Sequence, residues 1–256
     1  MNIDAPVFDP FFCADLLVAA RRSGRILVDV PDAAVPRSED DATAVQDIVA
    51  HTLGAVVAWK VGAATLEATP VSAPIHADTV FVEPERVPAA RFRHIGVEAE
   101  IVYRFGADLP PRTSPYSRDE VLAAIVSMHP AIEICDTRFA HLSAQPPLLH
   151  RADQVNHGAL IVGPAQTRWR DIDAVRQPVR LEIDGSEIVD TIGGNSAVDP
   201  VRLLVWLANS GAHPHGGLRA GQYVTSGSCS GNVLIAAPAD LVADFPGIGR
   251  LNVSID

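Results

Sequence analysis

Along the first sixty or so residues, apolar positions recur every three or four places, the period of helices with one buried face. Asp9 can cap a helix with Pro10 at its first position, and "FFCADLLVAARRSG" then runs to two arginines and a terminating Gly24. Its predicted apolar face is Phe12, Leu16, Ala19 and Ala20. A second helix is predicted in "SEDDATAVQDIVAHTLG", where Ser38 and Asp41 have capping-box spacing and Val45, Ile48, Val49 and Leu53 form one stripe before Gly54. Together they predict an N-terminal helical region over residues 1–54.

From "AVVAWKVGAAT" onward the period shortens to two, in β-branched runs divided by Pro and Gly: "DTVFVEP", "GVEAEIVYRF", "GALIVG", "PVRLEIDG", "EIVDTIGG", "QYVTSGS", "NVLIAAP" and "GRLNVSID". This predicts a sheet-rich domain over residues 55–256, in an α+β fold. Two helices interrupt it, one capped by Ser117 in "SRDEVLAAIVSMHP" and one opened by Asp199-Pro200 in "DPVRLLVWLANSGA". "EIDGSEIV" predicts a hairpin turning at Asp184-Gly185. The chain shows no internal repeat, no regular strand–helix alternation, and no phosphate-loop spacing in its glycine pairs, so nucleotide binding is not supported.

One run breaks the apolar pattern. In "IGVEAEIVYRF", Val97, Ala99, Ile101 and Tyr103 share one face of a strand, which places Glu98, Glu100 and Val102 on the other. Neighbouring carboxylates on a buried face raise each other's pKa unless a cation shares them, so this face is either wet or holds a metal.

Composition narrows the partners. The 256 residues carry 20 Lys and Arg against 31 Asp and Glu, a net charge of −11, with no basic cluster, which argues against nucleic acid or an anionic membrane. Cys13, Cys135 and Cys229 are isolated, without metal-ligand or redox spacing, and their odd number fits a reducing, cytoplasmic compartment. The N-terminal "MNIDAPVFDPFF" lacks the pattern of a secretory leader and no apolar run is long enough to span a bilayer, so a soluble protein is expected.

A third acid lies downstream, where Glu133 sits between Ile132 and Ile134 in "HPAIEICDTRF". With Glu98 and Glu100 it would supply three hard oxygen donors, the set that suits Mg²⁺ or Mn²⁺. "WKVG" (Trp59 to Gly62), "GVEAEIVYRFGADLP", "HPAIEICDTRF", "HGALIVG", "VWLAN" and "GQYVTSGSCSG" follow one another in the order, and at about the spacing, of the 2-keto-4-pentenoate hydratase and 4-oxalocrotonate decarboxylase branch of the fumarylacetoacetate hydrolase superfamily. From about residue 40 to the C-terminus the chain resembles that branch.

The resemblance implies a fumarylacetoacetate-hydrolase-like mixed β-roll with an N-terminal helical appendage, a homo-oligomer, and a divalent metal on Glu98, Glu100 and Glu133. It implies that Lys60 reaches the active site, against the alternative of a snorkelling strand-end lysine. Asp78 is either a proton-moving residue near the substrate or the start of an Asx turn. The loop from Thr225 to Gly231, with Ser228, would border the pocket. Two departures bear on the substrate: "DQVNHG" stands where relatives usually read "DNASS", putting Asn156 and His157 in place of serines, and "AVDP" replaces a Gly-His-Pro. The implied reaction is hydration of a 2-hydroxy-2,4-dienoate to a 4-hydroxy-2-oxo acid. The rival is decarboxylation of a 2-oxo-enedioate, for which Arg138, Arg151 or His157 would have to hold a second carboxylate; acylpyruvate hydrolysis and a non-catalytic partner subunit are further alternatives.

Overall fold

The computed structural model describes residues 7–142 and 145–256. The first six residues of the N-terminal helical region, where the segment read as lacking a leader begins, lie outside the described residues. Helix α1 (Pro10–Ser23) starts at Asp9, whose carboxylate accepts the Phe11 and Phe12 N–H groups, and stops at Gly24 in a left-handed conformation. Helix α2 (Glu39–Leu53) starts at Ser38, whose hydroxyl accepts the Asp41 N–H at 3.1 Å, while the Asp41 carboxylate takes the Arg37 N–H. The buried face of α1 is Cys13, Ala14, Leu17, Val18 and Ala20 rather than the predicted Phe12, Leu16, Ala19 and Ala20. The face is rotated because α1 packs against α2 and against Phe139 and Leu149 at once, which leaves Phe12 at the rim. On α2, Val45 and Val49 are buried as predicted, with Ile48 and Leu53 at the edge of the same cluster.

The strands are β1 (Val56–Gly62), β2 (Val71–His76), β3 (Val80–Val82), β4 (Arg86–Val87), β5 (Ile95–Phe105), β6 (Ile125–Cys135), β7 (His157–Val162), β8 (Pro178–Ile183), β9 (Ser186–Ile192), β10 (Tyr223–Ser228), β11 (Val233–Ile235), β12 (Ala239–Phe245) and β13 (Gly249–Ile255). The large sheet runs β2-β1-β10-β5-β6-β7-β3, with β11 added to β5. Its two ends, β2 and β3, are joined by a single short turn at Ala77–Thr79, so the sheet must curl into a roll. The second sheet, β4-β13-β12-β8-β9, lies against the roll's outer face. The β8–β9 hairpin turns at Asp184 and Gly185, both with positive φ, the type I′ geometry in which Gly carries no side-chain penalty.

The helix predicted from Ser117 is short: α3 (Arg118–Ala123) keeps its capping box, but the chain leaves it at once for β6. Ile125 and Ser127 pair with Phe105 and Arg104 of β5, and that ladder takes "IVSMHP" from the helix its periodicity suggested. Two further helices follow, α4 (Pro147–Ala152), which the sequence did not announce, and α5 (Pro200–Trp206), capped by Asp199 as predicted. Among the described residues no helix is long and apolar enough to cross a membrane.

Strand β5 is the structural axis. Val97, Ala99, Ile101 and Tyr103 enter the core between the sheets, while Val102 points into the roll with Ala58, Ile75, Ala131, Leu160 and Val162. That small apolar floor lies beside the acids.

Candidate metal centre

Glu98 of β5 stands directly across the ladder from Glu133 of β6, and Glu100 follows two residues on, so one inner face of the roll holds three carboxylates. Glu133 is fully buried and Glu100 is 1% exposed, which rules out a merely wet face; Glu98 is half-buried and borders solvent. Each has one oxygen committed. Glu98 Oε1 accepts from Asn232 Nδ2 at 3.1 Å, Glu100 Oε2 accepts from the Thr225 hydroxyl and from Gly227 N–H at 3.0 Å, and Glu133 Oε1 accepts from Lys60 Nζ at 2.7 Å. Glu133 Oε2 is buried without a partner. Removing a carboxylate oxygen from water without compensation costs several kcal/mol, so an orphan of this kind among three acids fits a cation site.

Lys60 projects from β1, and its ammonium is held by Glu133 and by the Val155 carbonyl at 2.9 Å. Burial works against the ammonium, but the charge of Glu133, with Glu98 adding to it, prevails and raises its pKa; Lys60 is a cation at neutral pH. Glu133 is correspondingly lowered: burial opposes its charge, and Lys60 and His157 outweigh that. Glu100 goes the other way, raised by burial first and then by the charges of Glu133 and Glu98. Within one face, a neutral-leaning acid and an ionised acid sit side by side.

His157 lies at the start of β7 and is 1% exposed. Its Nδ1 is 3.0 Å from Glu133 Oε1 and its Nε2 3.0 Å from Thr79 Oγ1. Burial pushes its pKa down to about 4 against the pull of Glu133, so the ring is neutral, with Nδ1–H donating to the carboxylate. It is therefore a hydrogen-bond donor to Glu133 and not a second cation for a dicarboxylate. Both ring nitrogens have partners inside the protein, which leaves no free nitrogen for the distal anion that the sequence reading assigned to this side chain.

Asn156 is also committed, its Nδ2 to the Leu142 carbonyl at 2.9 Å and its Oδ1 to Gln145 at 2.7 Å. Gln154, Val155 and Asn156 all have positive φ, a left-handed turn that aims the Val155 carbonyl at Lys60. Arg21 of α1 pins that turn through Gln154 and the His157 carbonyl, so the N-terminal helices help to position Lys60. Gly158 completes the entry to β7: a Cβ there would fall 2.7 Å from the Ile134 carbonyl. Ser228, paired in register with Glu100, bonds within its own loop to Gly231 and Ser230. Asp78 is not brought to the carboxylates. It is exposed on the turn between β2 and β3 and lines a separate cavity of about 430 Å³ with Arg21, Arg91 and Arg93, because the turn directs Thr79 inward to His157 and its neighbour outward.

Sequence reasoning missed Thr225 as the partner of Glu100, Asn232 as that of Glu98, and Cys135. Among the described residues, the group whose ligand atoms all lie within 4.8 Å of one another is Glu98, Glu133 and Cys135. The period of two from Glu133 to Cys135 was legible; that the strand end curls toward Glu98 was not. Burial pushes the Cys135 thiol well up, and it is uncharged.

The curled sheet with its second sheet and N-terminal helices is a fumarylacetoacetate-hydrolase-like fold, and the resemblance read from the motifs holds in sequence and in structure. No family model matches the chain. A 2-keto-4-pentenoate hydratase of Paraburkholderia xenovorans (strain LB400) is 26% identical over 255 residues, covering 95% of this chain and 93% of that protein. A 4-oxalocrotonate decarboxylase of a Pseudomonas species is 26% identical over 176 residues, 67% of this chain and 65% of that protein. Among solved structures, the 4-oxalocrotonate decarboxylase from Pseudomonas putida G7 complexed with magnesium and adipate superposes with a TM-score of 0.83 at 20% identity, over 96% of this chain and 97% of that one.

Proposed function

We propose that the protein is a divalent-metal-dependent lyase that adds water to a 2-hydroxy-2,4-dienoate, by way of its 2-oxo-enoate tautomer, to give a 4-hydroxy-2-oxo acid. The observation that carries this reading is the inner face on which Glu98, Glu100 and Glu133 each keep an oxygen free of described partners beside the Lys60 cation. Full-length similarity to 2-keto-4-pentenoate hydratases supports the substrate class. These three glutamates would hold Mg²⁺ or Mn²⁺, which when bound supplies Lewis-acid polarisation of the substrate's C1 carboxylate and C2 oxygen. Lys60, kept protonated by Glu133, places a fixed positive charge that can stabilise the enolate developing on the C2 oxygen. His157 and the Val155 carbonyl keep Glu133 and Lys60 in that alignment.

The decarboxylase reading requires a second anion site, and two of its three candidates are spent. Arg138 is 1% exposed and bound to Asp153, and His157 is neutral; Arg151 pairs with the exposed Glu39 and keeps its Nε without a partner among the described residues. Hydration needs no such site. The reading extends to a catalytic unit at residues 55–256 with a helical region at 1–54, to a homo-oligomer, and to the cytoplasm, the last supported by three buried free cysteines.

The test is a panel of 2-hydroxy-dienoates and 2-oxo-enedioates with Mg²⁺ or Mn²⁺, following both the conjugated chromophore and CO₂. Loss of the dienoate chromophore without CO₂ is expected. Release of CO₂ from a dioate, with the monocarboxylates inert, would replace the hydratase by its rival.

A further inference from the structure

We propose that Cys135 is a soft fourth donor of the carboxylate centre, so that this chain binds thiophilic divalent cations such as Cd²⁺ or Zn²⁺ through sulfur as well as through Glu98 and Glu133. The inference rests on reading the glutamate face as a metal centre, and adds to it a ligand that makes the donor set mixed.

Cys135 is two residues beyond Glu133 on β6 and therefore on the same face, one ladder step from the Glu98–Glu133 pair and opposite Gly96. Its sulfur and one oxygen from each of those glutamates lie within 4.8 Å of one another. The thiol is buried, and the neighbouring Glu133 Oε2 has no partner although Glu133 is fully buried. An apolar side chain at this strand end would fill the same space without offering a donor.

Three carboxylates alone suit hard cations, which gain little from a thiol. Adding one sulfur leaves Mg²⁺ and Mn²⁺ affinity to the oxygens and raises affinity for soft ions selectively. On binding, the Cys135 S–H bond breaks, a sulfur–metal bond forms, and the proton passes to water; no oxidant or reductant is involved. The other thiols are elsewhere: Cys13 belongs to the helical cluster and Cys229 to the core between the sheets.

The experiment is metal titration of the full-length, chelator-stripped protein, reading the ultraviolet thiolate-to-cadmium charge-transfer band for Cd²⁺ and paramagnetic resonance for bound Mn²⁺. One equivalent of Cd²⁺ should raise the band in the wild type and in the Cys13→Ser/Cys229→Ser double variant, in which Cys135 is the remaining thiol. Cys135→Ser should lose the band and at least about tenfold in Cd²⁺ affinity, the lower end of what even an outer partner of a metal ligand contributes, while keeping its Mn²⁺ affinity. If Cys135→Ser fails to fold, the double variant decides alone. Absence of the band while Mn²⁺ binds at one equivalent overturns sulfur ligation and leaves the carboxylate centre standing. Failure to bind either ion overturns both.

Discussion

Two buried charged clusters lie within a few residues of each other, and they are built on opposite rules. Around Arg138 and Asp153, whose side chains are 2% and 3% exposed, the donors are accounted for. Arg138 donates to Asp153 and to the carbonyls of His157 and Asp136, and Asp153 also accepts from Thr137 and the Arg138 backbone. Across Cys135, the glutamate face has three acids, one lysine and an orphaned buried oxygen. A charge network that satisfies itself is scaffolding; one that leaves acceptors open and pushes its acids' pKa values apart is waiting for a ligand.

The sharpest way to break the comparison is to damage the satisfied network. Arg138→Met leaves Asp153 buried and uncompensated and should cost about 3–5 kcal/mol of stability in denaturant unfolding. A loss under about 1 kcal/mol, the ceiling of an ordinary exposed pair, would mean that the cluster is not the scaffold described. The glutamate face should respond in the reverse sense. Glu100→Gln should remove at least about a thousandfold of activity, roughly 4 kcal/mol of transition-state stabilisation, without lowering the melting temperature of the metal-free protein. Gln resembles the neutral state toward which burial and the neighbouring acids already push Glu100. A variant melting far below the wild type in chelator would make Glu100 structural.

His157 sits between the clusters and gives an intermediate effect. His157→Ala leaves Glu133 with one donor fewer and should cost about 1–3 kcal/mol of stability. Because the ring is neutral, KM should change by the same factor for mono- and dicarboxylate substrates; a change confined to the dicarboxylate would restore it as an anion receptor. The smallest effect is expected at His129, inside the roll and away from the acids. Its pKa is lowered, by burial first and by Arg104, against the Gly163 carbonyl and Glu83. Its folded pKa lies below the unfolded ~6.5, so its contribution is present above that pH and is lost as pH falls through the folded value. His129→Gln should therefore shallow the decline in stability between pH 7 and 5, and an unchanged slope would show that the ring is not buried neutral.

Much of this was legible along the chain because it depends on short-range physics. The caps at Asp9, Ser38, Ser117 and Asp199 follow from hydrogen bonds within one turn, and the turn at Asp184-Gly185 from positive φ. That Glu98 and Glu100 share a face follows from the period of two alone. What the sequence could not express is which faces meet. The curl that joins β2 to β3 brings Lys60 to Glu133, turns Thr79 toward His157 and leaves Asp78 outside. The pairing of β6 with β5 converts a helical-looking "IVSMHP" into strand and sets Cys135 beside the acids. Charge state was likewise undetermined: His157 is neutral and Glu100 raised because neighbours far away in sequence withdraw them from water, and desolvation is a property of three-dimensional packing that no residue carries by itself.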